Sequence, residues 1–72
     1  MNIDQAMEKA RVLAPENSLI DVVEELQMGR NGKTDRAFCI TILTDDARFF
    51  GAGANFEEAL EEVEREIKNE NW

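Results

Sequence analysis

The stretch Arg36-Ala37-Phe38-Cys39-Ile40-Thr41-Ile42-Leu43-Thr44-Asp45-Asp46-Ala47-Arg48-Phe49-Phe50-Gly51-Ala52-Gly53-Ala54-Asn55-Phe56, with the acidic run that continues to Ile67, decides how this chain folds. Ala37 to Thr44 is rich in β-branched and aromatic residues and too short for a typical helix, which predicts a strand over 36–44. Phe38, Ile40 and Ile42 fall on one face. Cys39, Thr41 and Leu43 fall on the other, a mixed surface of the kind an antiparallel sheet leaves partly solvated. Asp45 and Asp46 carry side chains that bond nearby backbone N–H groups, so they predict a tight turn into a second strand over 47–52. Adjacent in that strand, Phe49 and Phe50 point to opposite faces, so one ring joins the core and the other lies near Leu43. The glycines of Gly51-Ala52-Gly53-Ala54 permit positive φ and close backbone approach, which lets the chain leave the sheet for a helix in few residues. Asn55 followed by Glu58 is a capping-box pattern. Phe56, Ala59, Leu60, Val63 and Ile67 then recur at three- and four-residue spacing, predicting a helix over 55–69 whose apolar stripe lies on the hairpin.

Working outward, Ile3, Ala6, Met7, Ala10 and Leu13 or Ala14 share one helical face, and Asn2 with Gln5 again forms a capping-box pattern. Pro15 disfavours helical backbone at Ala14, so this helix runs over 2–14. Leu19 to Met28 is ambiguous by periodicity. Leu19, Ile20, Val23 and Leu26 fit a helical stripe, whereas Ile20, Val22, Leu26 and Met28 fit a strand face interrupted by Glu24. The turn-rich connection from Gly29 to Asp35, leading straight into a clear strand, favours a hairpin and a strand over 19–29. A third strand also gives two amphipathic helices enough surface to cover. The prediction is a single α+β domain, α-β-β-β-α, with a three-stranded antiparallel sheet and both helices on one face. The residues from Asn69 to Trp72 are expected to fray.

At 72 residues the chain is near the lower limit for a core without metal or disulfides. A single cysteine and no histidine exclude an internal disulfide and leave no ordinary Cys/His zinc site or nucleophile pair. Cys39 reads as a small strand residue. Neither a basic leader with an apolar run nor a membrane-length apolar segment is present, so the chain reads as soluble and cytoplasmic, with no membrane partner. The net charge of −8 argues against nucleic acid and favours basic partners. Most of the excess lies at the C-terminal end, where seven glutamates from Glu57 to Glu70 face only Arg65 and Lys68. A small basic island, Arg30, Lys33 and Arg36, lies on the connection between the first two strands.

The element order, with Phe38 in the middle strand, Gly51-Ala52-Gly53 at the bend and Ala59 in the second helix, resembles the double-stranded-RNA-binding domain. In that family a lysine pair at the start of the second helix contacts phosphates across the RNA groove. Glu57 and Glu58 stand at the corresponding positions here. A carboxylate pair stabilises a helix N-terminus but repels phosphate, so the resemblance implies the fold and reverses the sign of the binding surface. Gly53-Ala54-Asn55-Phe56-Glu57-Glu58-Ala59-Leu60 is also similar to the strand–helix end of HicB-type antitoxins.

Asp45 with Asp46, and the carboxylates of the final helix, lack the convergent desolvated setting that acid/base or metal chemistry requires, so the chain is expected to be neither an enzyme nor a cofactor or metal binder. The reading is a small acidic binding or regulatory protein of the accessory kind found in bacteria or their phages, acting through protein–protein contacts. Its candidate partner-binding residues are Glu57, Glu58, Glu61, Glu62, Phe49 and Leu43. One alternative is nucleic-acid binding through Arg30, Lys33 and Arg36; another is an antitoxin-like inhibitor or nucleic-acid mimic using the acidic helix. Two helices on one face leave the other face and the strand edges uncovered, which predicts a symmetric homodimer.

Overall fold

Helix α1 (Ile3–Leu13) starts where Asn2 accepts a hydrogen bond from the Gln5 amide at 2.9 Å, while the Gln5 side chain accepts one from the Asn2 amide at 3.0 Å. Both halves of the capping box are therefore formed. The helix ends where Ala14 turns extended ahead of Pro15, because the proline ring crowds a helical residue before it. Asn17 then takes a left-handed conformation (φ 63°), which asparagine tolerates better than most residues, and the chain turns into the sheet.

A computed structural model describes residues 1–70. After α1 come β1 (Leu19–Met28), β2 (Thr34–Leu43), β3 (Arg48–Gly53) and α2 (Phe56–Glu70), an α+β fold in the order α-β-β-β-α. The sheet is antiparallel in the order β1-β2-β3. The segment 19–28, open between helix and strand by periodicity, is a strand, because pairing with β2 along its whole length satisfies its backbone. The second strand begins at Thr34 rather than at 36, since β1–β2 pairing continues to Met28 opposite Thr34. Asn69 and Glu70 remain helical, and the expected fraying of Asn71 and Trp72 lies outside the described residues.

The two hairpins turn by different chemistry. Between β1 and β2, the Gly32 amide bonds the Gly29 carbonyl and the Gly29 amide bonds the Lys33 carbonyl. Gly32 sits at φ 80°, a left-handed position that a side chain would strain. Between β2 and β3, the Asp45 and Asp46 side chains do not make the turn. The Thr44 hydroxyl accepts from the amides of Asp46 (3.2 Å) and Ala47 (2.8 Å).

Both helices cover one face of the sheet, α1 chiefly over β1 and α2 over β3 and β2. The core joins Val22, Ile40, Ile42 and Phe49 from the sheet to Ala6 and Ala10 of α1 and to Phe56, Ala59, Leu60, Val63 and Ile67 of α2. The ring of Phe38 meets that of Phe56 edge-on at 4.7 Å between centroids. Ile3 stays exposed at the start of α1, outside the stripe that its spacing suggested. Gly51 and Gly53 do not form a positive-φ bend. They lie inside β3, and the space of their missing side chains admits α2: a Cβ on Gly51 would stand 2.8 Å from Val63 Cγ2, and one on Gly53 would stand 2.5 Å from Glu58 Cβ.

Candidate interaction surfaces

Strand register assigns every sheet residue to a face. Ile20, Val22, Phe38, Ile40, Ile42, Phe49 and Gly51 point to the helices. Where all three strands pair, the opposite face consists of three cross-strand rows, Leu19, Leu43 and Arg48; Asp21, Thr41 and Phe50; Val23, Cys39 and Ala52, and it continues onto the two-stranded part through Glu25 and Ala37. No described element covers it. Phe50 is 42% exposed and Leu43 38% exposed, and the Arg48 guanidinium lies 5.9 Å from the Phe50 ring centroid.

Phe49 does not belong to this surface. It pairs with Ile42 on the helix side and is 5% exposed, so the aromatic that faces solvent beside the Leu43 row is Phe50. The physical reason is parity: Ile42 faces the core, its partner Phe49 must do the same, and Phe50 is turned outward. Leu19 and Val23 complete the patch, and sequence reading missed both. Their signal was present in the alternation of Ile20 and Val22, which turns the odd-numbered β1 residues to the open face.

Beyond Phe38, β3 has ended and β1–β2 continues as a two-stranded arm, consistent with overall dimensions of 41 × 22 × 18 Å. Leu26 and Met28 are exposed on its helix-side face, where neither helix covers them. Arg30 and Lys33 occupy the tip. Arg36 is not a loop residue: it lies within β2, and its guanidinium sits 3.4 Å from the Glu24 carboxylate on the neighbouring strand. The expected three-cation island is thus two cations at a tip and one paired on a strand.

The acidic residues of α2 are also divided among different tasks. The Glu58 carboxylate accepts from the Ala54 amide at 2.7 Å, while the Glu58 amide donates to Asn55 Oδ1 at 2.8 Å. Glu58 is therefore committed to starting the helix. Glu57 lies 3.8 Å from the Met1 ammonium, Glu62 pairs with Arg65 at 3.0 Å, and Glu64 pairs with Lys68 at 2.9 Å. Glu57, Glu61 and Glu64, with Lys9, rim a shallow groove of about 430 Å³ between the helices, with Val12, Leu13 and Leu60 among its apolar lining residues.

No protein-family model, curated protein or solved structure matches this chain. Among the described residues, no three or more Asp, Glu, Cys or His side chains are grouped to hold a metal ion. No described helix is long and apolar enough to cross a membrane. Asp45 and Asp46 are exposed on their turn.

Proposed function

We propose that this chain is a non-enzymatic binding or regulatory protein that acts through protein–protein contacts, and that the open face of its sheet is the contact surface. The observation that carries this reading is the exposed pair Leu19 and Leu43 in one cross-strand row with Phe50 in the next and Val23 and Cys39 in the third, on a face that no described element covers. A contiguous apolar patch on a small chain exposes surface that association removes from water. The double-stranded-RNA-binding resemblance supports the same direction. The element order is that of the family, but Glu57 and Glu58 at the start of α2 put carboxylates where phosphate contacts would require cations. A small bacterial or phage accessory protein working in the cytoplasm is the setting we assign to it.

Cys39 provides a test, because it lies in the last of the three rows and is the chain's single thiol. Maleimide labelling of Cys39 in intact cells producing the protein should be several-fold slower than in the dilute purified chain. Equal rates in the two settings would refute the reading.

A second reading rests on the groove between α1 and α2. Its apolar floor and its rim of Glu57, Glu61 and Glu64 suit a basic amphipathic segment, as an antitoxin-like inhibitor of a basic protein would require. A Glu57→Gln/Glu61→Gln/Glu64→Gln variant that retained full activity in an inhibition assay against a candidate basic partner would exclude it.

A further inference from the structure

The open face carries charge as well as apolar surface, and the charge is distributed so that the face complements itself. Asp21 and Glu25 lie on the β1 side, and Arg48 lies on the β3 side one row away from Asp21. Among the described residues, neither Asp21 nor Arg48 has an ion-pair partner in its own chain. They are separated by the width of the sheet, roughly 10 Å at the usual strand spacing.

We infer that the occupant of this face is a second copy of the chain, stacked face to face about a two-fold axis running parallel to β2. This rests on the reading of the open face as a contact surface and names its partner. About that axis β1 of one copy lies over β3 of the other, so each Arg48 comes within reach of the other copy's Asp21, and both ion pairs form at once. A two-fold axis across the strands would instead set β1 over β1 and bring acid against acid and Arg48 against Arg48. Charge therefore selects the first arrangement. The central strand offers Ala37, Cys39 and Thr41, small side chains that let two sheets approach, while Leu19, Leu43 and Phe50 supply the apolar contact.

The net charge of −8 on each copy does not forbid this stack. The glutamates of α2 are on the far side of each sheet, and sheets stack about 10 Å apart, so the two acidic helices are separated by more than the screening length of about 8 Å at physiological salt. At three strands' width the footprint is on the order of 400 Å² per copy, below the ~800 Å² of a standard interface. The dimer is consequently weak and concentration-dependent.

The test uses the intact chain, followed from about 10 μM to 1 mM by sedimentation and by the labelling rate of Cys39. Mass is expected to rise from 8.2 kDa toward twice that value, with labelling slowing over the same concentration range. Arg48→Asp and Asp21→Arg, both at exposed positions, should each weaken association at least about fivefold, as expected for two exposed ion pairs lost together. The double exchange should restore it to within about twofold. A chain that stays at 8.2 kDa with unchanged Cys39 labelling up to 1 mM overturns the self-association. Should Cys39 nevertheless be protected in cells, the face serves a different protein and the contact-surface reading stands. A dimer in which Cys39 labels freely, or one that the double exchange does not restore, overturns the stacked arrangement.

Discussion

Gly51 of β3 lies directly beneath Val63 of α2: a Cβ on the glycine would stand 2.8 Å from both the Val63 amide nitrogen and its Cγ2, and closer still to the Ala59 carbonyl oxygen. Two of these three atoms are helix backbone and cannot rotate away. The helix-to-sheet distance is thereby set by a missing side chain.

Gly51→Ala should accordingly cost about 1–3 kcal/mol, because the added methyl forces α2 off the sheet and loosens every contact along its stripe. Gly29→Ala is the comparison, since the nearest atom there is the Asn31 side-chain oxygen at 3.1 Å, which moves easily. Urea denaturation of the two variants should rank them clearly; equal midpoints would contradict the close approach of α2 to Gly51.

Leu60→Ala should lose roughly 2–4 kcal/mol, since Leu60 is buried in the middle of the α2 stripe and a core this small cannot refill the cavity. Glu62→Ala removes only an exposed contact to Arg65 and should change stability by less than about 0.5 kcal/mol. Similar losses for both in chemical denaturation would contradict the packing of α2 on the sheet.

Thr44→Val tests what holds the second hairpin. It removes an acceptor that serves two backbone amides, at a cost of about 1–2 kcal/mol, whereas Asp45→Asn and Asp46→Asn should be nearly neutral. A thermal melt in which the aspartate variants lose more than Thr44→Val would return the turn to the aspartates.

Binding to duplex RNA at physiological salt should be undetectable, because carboxylates begin α2 and the field of the chain is negative. Fluorescence anisotropy with labelled duplex showing sub-micromolar affinity would refute this. Glu58→Lys carries a separate cost, as it also deletes the acceptor for the Ala54 amide; helix stability should fall by about 1 kcal/mol whatever happens to binding.

Element order and most of the core were legible in the residues themselves. The spacing of Phe56, Ala59, Leu60, Val63 and Ile67 specifies a helix and its buried face, and the alternation of Phe38, Ile40 and Ile42 specifies a strand and its buried face, because each period maps onto one geometry. Caps at Asn2 and Asn55 and the stop at Pro15 were equally local. What the chain alone did not determine depends on pairing between distant segments. Leu19 to Met28 carries both a helical and a strand periodicity; the turn-rich connection after it favours the strand, and hydrogen bonding to β2 along its whole length is what holds it there. Phe49 and Phe50 are chemically identical neighbours; the register of β3 against Ile42 sends the first into the core and the second to the open face. Arg36, at the predicted start of the second strand, reads as part of the basic connection until the register of β2 against β1 places it beside Glu24. The glycines of β3 permit either a turn or a close approach, and it is the arrival of α2 from the far end of the chain that selects the approach. Local periodicity determines which side of an element is apolar, while register and the docking of distant elements decide which apolar side stays uncovered.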